Sequence, residues 1–212
     1  MPNSAAHPYA RGASHVGRTS QSRARWLRTL YVKVKEMSTA RDTAIDAVDV
    51  LNDLIADLIA GTNVFRDYRQ RLKSGQFRVE QMSAVQKMCF SHLALSFCKL
   101  LEFCEHYQKV VPDAHRKDLG ELNTEIRRRG AKDFRNKVAG HIWDKKHQRP
   151  VRHSEIMAYL DRLIGKHADN FLNWVNNLES NPYPETIVSV VETIRDAIAR
   201  EHAIDPSEIL KR

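Results

Sequence analysis

The sequence predicts an all-α protein, a bundle of five or six amphipathic helices behind a disordered, basic N-terminal tail. Three observations carry this. Apolar residues recur in steps of three and four along most of the 212-residue chain. No segment sustains the period-2 alternation of a half-buried strand. Helix stop signals, namely Gly75, Pro112, Gly130 and the stretch NPYP, fall between the periodic segments.

Residues 1–36 form the tail, with seven Lys/Arg against one acid. MPNSAAHPYARGASHVGRTSQSR has no apolar periodicity and reads as disorder, while WLRTLYVKVKEM leaves room for a short helix over residues 25–36. The Arg- and Ser-rich composition also matches a transit peptide, and Met37 offers an alternative translation start. Residues 37–212 form the helical domain. Ser38 or Thr39 is the expected N-cap of its first helix, whose stripe is Ile45, Val48, Leu51, Ile55, Leu58 and Ile59.

Residues 79–111 are apolar nearly all round, with Val85, Met88, Cys89, Leu93, Phe97, Leu100, Leu101 and Cys104 on the main stripe. This predicts the central helix. Pro112 and Asp113 open the next one, which reaches Gly130. Ile156, Leu160, Leu163, Ile164, Phe171, Trp174, Val175 and Leu178 predict one long helix from about Ser154, with His167 as a core histidine. Pro184 suits the start of a last helix carrying Ile187, Val190, Val191, Ile194 and Ile198.

No run of about 18 apolar residues exists, so no membrane partner is expected. Cys89, Cys98 and Cys104 lie on one apolar stretch without a C-x-x-C pair. They read as reduced core thiols in a cytoplasmic protein.

Net charge is +8, and its distribution says more than the total. Residues 127–153 carry ten Lys/Arg against two acids, and the chain outside this island and the tail is net acidic. Focused positive charge calls for an anionic partner, RNA first. The segment FRNKVAGHIWDKKHQRP at the centre of the island holds Arg135, Asn136 and His141. His141, His147 and His153 are six apart, which fits no usual metal pattern, so neither a metal nor another cofactor is expected.

An Arg with a His is a metal-free ribonuclease kit. The Arg holds a phosphate and stabilises the charge that grows on its oxygens. The His titrates near neutrality and can move the proton of the 2′-OH or of the leaving oxygen. Asn136 can orient either partner. Arg127, Arg128, Arg129, Lys132, Lys137, Lys145, Lys146 and Arg149 are the expected RNA-backbone contacts. Six residues on a regular helix turn by about 240°, so Arg135 and His141 share no face. They meet only if the helix ends near Gly140, or if two copies contribute across a two-fold axis.

RNKVAGH resembles the R-x(4–6)-H signature of HEPN domains, in which a polar residue, often Asn, follows the Arg. The chain looks closest to the stand-alone abortive-infection branch of that superfamily. The resemblance implies an all-helical domain over roughly residues 38–200 and a homodimer through the motif helix. It further implies metal-independent endoribonuclease activity of toxin or phage-defence type, with an antitoxin or regulator as a further partner. Arg135, Asn136 and His141 take the active-site places. One subgroup has H-x-Tyr, whose tyrosine is modified by a partner antitoxin; here Trp143 stands there, expected in the core or the dimer interface, with stacking on a base as the alternative. The alternative is a non-catalytic helical module that binds RNA or a partner through the same island.

Overall fold

The computed structural model describes the backbone of residues 17–140, 143–144 and 147–209, with side chains from residue 39 on apart from that of Asp144. The chain divides into two units, residues 1–41 and 42–212. The first contributes the opening turns of α1 (Gly17–Lys73); the second holds the remaining elements. All-α architecture is what the structure shows. The helix begins at Gly17, so backbone expected to be tail or a short helix is part of α1, and Ser38 and Thr39 lie inside it. No proline interrupts residues 17–60, so nothing local stops a helix once begun.

In the second unit α1 buries Ile45, Val48, Leu51, Ile55 and Leu58 as its periodicity predicts, and the stripe continues through Phe65 and Tyr68. It packs on α2 (Met82–His106), which contributes Cys89, Phe90, Leu93, Phe97, Leu100, Leu101 and Phe103 to the core. The two helices meet at Gly61, where a Cβ would lie 2.7 Å from Leu93 Cδ2. Only a residue without a side chain allows this approach. Met88, placed on the core stripe by spacing, is instead exposed, as is Leu95.

After a short 3-10 turn, α3 (Asp113–Arg128) follows Pro112 and buries Leu119, Leu122 and Ile126. Next come α4 (Ala131–Phe134) and a π turn (Arg135–Ala139). A two-residue antiparallel ladder pairs β1 (Trp143–Asp144) with β2 (Arg149–Pro150). No strand was expected there, and a ladder this short has no alternation to detect.

The single long helix expected from Ser154 is two helices, α5 (His153–Ile164) and α6 (Ala168–Val175). Gly165 separates them at φ 81°, ψ −163°, a conformation essentially reserved for glycine. Its amide closes the last turn on the Asp161 carbonyl at 2.8 Å. His167 sits at the N-cap of α6 and is exposed, so it is no core histidine. Phe171 and Trp174 from α6 meet Phe97 of α2 edge-on, with centroids 6.0 and 5.9 Å apart.

The last long helix, α7 (Ile187–Glu201), starts at Thr186 rather than Pro184. The Thr186 hydroxyl accepts from the Ser189 amide at 3.1 Å. A final turn, α8 (Pro206–Ile209), completes the described chain. Among the described residues no helix is long and apolar enough to cross a membrane.

Candidate functional site

The basic island is laid over the α3–α4 corner, the π turn and the β1–β2 hairpin. Ala131, Phe134 and Val138 point into the core, and this inward row sets Arg135 and Asn136 toward the surface. The turn is wide because the Gly140 amide reaches the Arg135 carbonyl, five residues back, at 2.8 Å. A Cβ on Gly140 would stand 3.1 Å from that same carbonyl oxygen. Helical geometry ends at Gly140, one of the two arrangements that the sequence left open. His141, Lys145 and Lys146 lie outside the described residues.

Arg135 is about two-fifths exposed, and two groups hold its guanidinium. Nε donates to Asn136 Oδ1 at 3.2 Å, and Nη1 stands 3.8 Å from Glu102 Oε1 on α2. A contact of that length is an ion pair without a firm hydrogen bond. Asn136 thus orients Arg135 directly.

The neighbouring cations are held more tightly. Arg127 donates to Asn123 Oδ1 at 2.7 Å and to Glu105 Oε1 at 3.1 Å, while Lys132 Nζ is 3.5 Å from the same Glu105 oxygen. Those two cations hold the Glu105 carboxyl below its usual range. Arg128 forms a fork on Glu125 with both bonds at 2.6 Å. Arg162 spans from α5 to Asp133 at 3.0 Å. Lys137 is half-buried on the π turn.

Arg129 and Arg149, expected on RNA, have structural partners within the fold. Arg129 is 18% exposed; it donates to Glu125 at 2.7 Å and to the Leu163 carbonyl at 3.0 Å. Its guanidinium also lies 4.2 Å from the Trp174 ring centroid. It is a strut joining α3 to α5 and α6. Arg149 grips Glu155 through two 2.8 Å bonds, and Glu155 also accepts from the Arg152 amide at the head of α5. The Arg149 bonds come first in lowering the Glu155 carboxyl to about 2. This clamp ties the hairpin to α5. Trp143, on the hairpin, is 49% exposed rather than in the core.

Sequence reasoning missed Glu102, Glu105 and Glu155. The first two lie on the polar edge of a helix some thirty residues earlier, with no local signal. Glu155 was detectable as an acid in the first turn of a helix, where it suits the positive end of the helix dipole. The folded body thus supplies acids that offset much of the island's charge.

Cys98 is buried beneath Arg135 and Lys132; burial raises its thiol while their charges oppose the rise. No family model matches the chain, and no curated protein matches it. Among solved structures, an integron cassette protein from the mobile metagenome of V. paracholerae is similar in fold, with a TM-score of 0.65 at 25% identity. The match covers 74% of this chain and 96% of that one.

Proposed function

We propose that the chain is a HEPN-like, metal-independent endoribonuclease in which Arg135 and His141 act on RNA phosphodiesters at a homodimer interface. The observation that carries this reading is the state of Arg135. It is surface-accessible, oriented by Asn136, and held by the longest of the island's ion pairs named above. It also heads the π turn that ends at Gly140, with His141 next in the chain. Unusual turns of this kind recur at functional sites.

In the proposed reaction Arg135 binds the non-bridging phosphate oxygens and takes up their growing charge. The ribose 2′-oxygen attacks phosphorus, its proton passing to His141, while the bond to the 5′-oxygen breaks. A proton returns to that 5′-oxygen, leaving a 2′,3′-cyclic phosphate and a 5′-hydroxyl. Arg127, Arg128, Lys132 and Lys137, with Lys145 and Lys146, guide the RNA backbone. A cytoplasmic toxin or phage-defence role, with an antitoxin as regulator, belongs to the same proposal.

One observation favours a second reading, a non-catalytic module that binds RNA or a partner. Arg127, Arg128, Arg129, Lys132 and Arg149 are all engaged by carboxylates within the protomer, as in a structural face. Incubation of structured RNA with the protein in EDTA separates the two. Cleavage to 2′,3′-cyclic phosphate ends, lost in both Arg135→Ala and His141→Ala, supports the nuclease. Salt-sensitive RNA binding without cleavage supports the module.

A further inference from the structure

A cavity of about 200 Å³ opens between α3, α6 and the segment leading into α7. One wall carries Asp118, Glu121 and Glu125, spaced by three and four residues on a single face of α3. The rest of the lining is largely apolar, with Leu122, Trp174, Pro184, Ile187 and Val190 beside the buried Thr186.

The three acids differ in their partners. Glu125 is ion-paired to Arg128 and Arg129 at 2.6 and 2.7 Å. Asp118 instead accepts a hydrogen bond from the Tyr183 hydroxyl, which itself meets His115 Nδ1 at 3.1 Å. Burial, then Asp118, raises that hydroxyl to about 12, so Tyr183 stays a neutral donor. Glu121 faces Lys117 at 3.8 Å, with the side chains 69% and 83% exposed, a pair worth little in water. Two carboxylates with little internal compensation therefore look across at a hydrophobic wall. Trp174 on that wall already accepts one cation, the Arg129 guanidinium on its ring.

We propose that this cavity binds a small organic cation, an ammonium or guanidinium group carried on a short apolar stem. The carboxylates of Asp118 and Glu121 take the charged head, and Trp174, Pro184, Ile187 and Val190 cover the methylenes. The volume is below that of drug-sized sites, which suits a ligand of few heavy atoms. The same chemistry is offered by a free diamine and by a lysine or arginine side chain of another protein. Among the described residues, Asp118 and Glu121, which would take the charge, have no contact with Arg135, Asn136 or the cations proposed to guide RNA, so the inference stands apart from the ribonuclease reading.

Calorimetric titration of the full chain tests it with three probes: 1,5-diaminopentane, Nα-acetyl-lysine methylamide and uncharged 1,5-pentanediol. At least one cation should bind saturably, more weakly at high salt, and the diol should not bind. Glu121→Gln should weaken the cation about tenfold and Glu121→Lys should abolish binding. Because this side chain is exposed, both variants should melt like the wild type. Diamine binding alone points to a free ligand, and binding of the lysine derivative alone points to a side chain presented by a partner. Absence of saturable binding by both cations, equal binding of the diol, or undiminished binding by Glu121→Lys overturns the proposal.

Discussion

Glu102 Oε1 stands 3.8 Å from Arg135 Nη1, joining the central helix to the turn that bears the candidate site. The pair bridges a surface where a bound phosphate would compete for the same guanidinium. On the proposed ribonuclease reading, Glu102 is a counter-ion that RNA displaces. Glu102→Gln should tighten RNA binding severalfold at low salt, with the gain shrinking as salt rises. Filter-binding titrations at two salt concentrations would show this. Weaker binding, or cleavage lost with binding intact, would make Glu102 a positioning residue for Arg135.

Gly61→Ala should destabilise the fold by about 1–3 kcal/mol, because the new methyl meets Leu93 Cδ2 at 2.7 Å and His92 Cδ2 at 3.0 Å. Urea unfolding followed by circular dichroism measures the change. A neutral effect would mean that the α1–α2 contact opens without cost.

The clamp between Arg149 and Glu155 should be acid-sensitive. Its carboxyl lies at about 2 in the folded chain, below the ordinary 4.5, so its stabilising effect is present above 4.5. That contribution fades as pH falls from 4.5 through 2. Glu155→Gln should flatten part of the acid-induced fall in melting temperature. Parallel curves for the two proteins over that range would refute the assignment.

Cys89, Cys98 and Cys104 should be inert toward aqueous thiol reagents in the native state. All three are buried, and burial raises the Cys104 thiol to about 11. At pH 8 an aromatic disulfide reagent should react slowly with the folded protein and promptly in denaturant. Fast reaction of one thiol in native buffer would show local opening of α2.

Residues that face the core were largely legible in the chain itself. The stripes of Ile45 to Leu58 and of Ile187 to Ile198 are buried as their spacing demands, because periodicity records which side of a helix leaves water. The halt at Gly140 was one of two arrangements that the sequence allowed, since glycine permits backbone to come close to backbone. The break at Gly165 was not legible, because apolar spacing continues across it while the chain turns.

The sequence by itself determined that this is an all-α protein with a basic segment late in the chain, and which faces of α1 and α7 lie inside. Tertiary structure decided what that basic segment is made of. Arg129 and Arg149 became struts, while Arg135 kept a loosely held, accessible guanidinium. The physical reason is range. Helical periodicity is written in residues three and four apart, whereas Glu102 and Glu105 of α2, and the Leu163 carbonyl and Trp174 ring that hold Arg129, meet these cations only once the helices have packed.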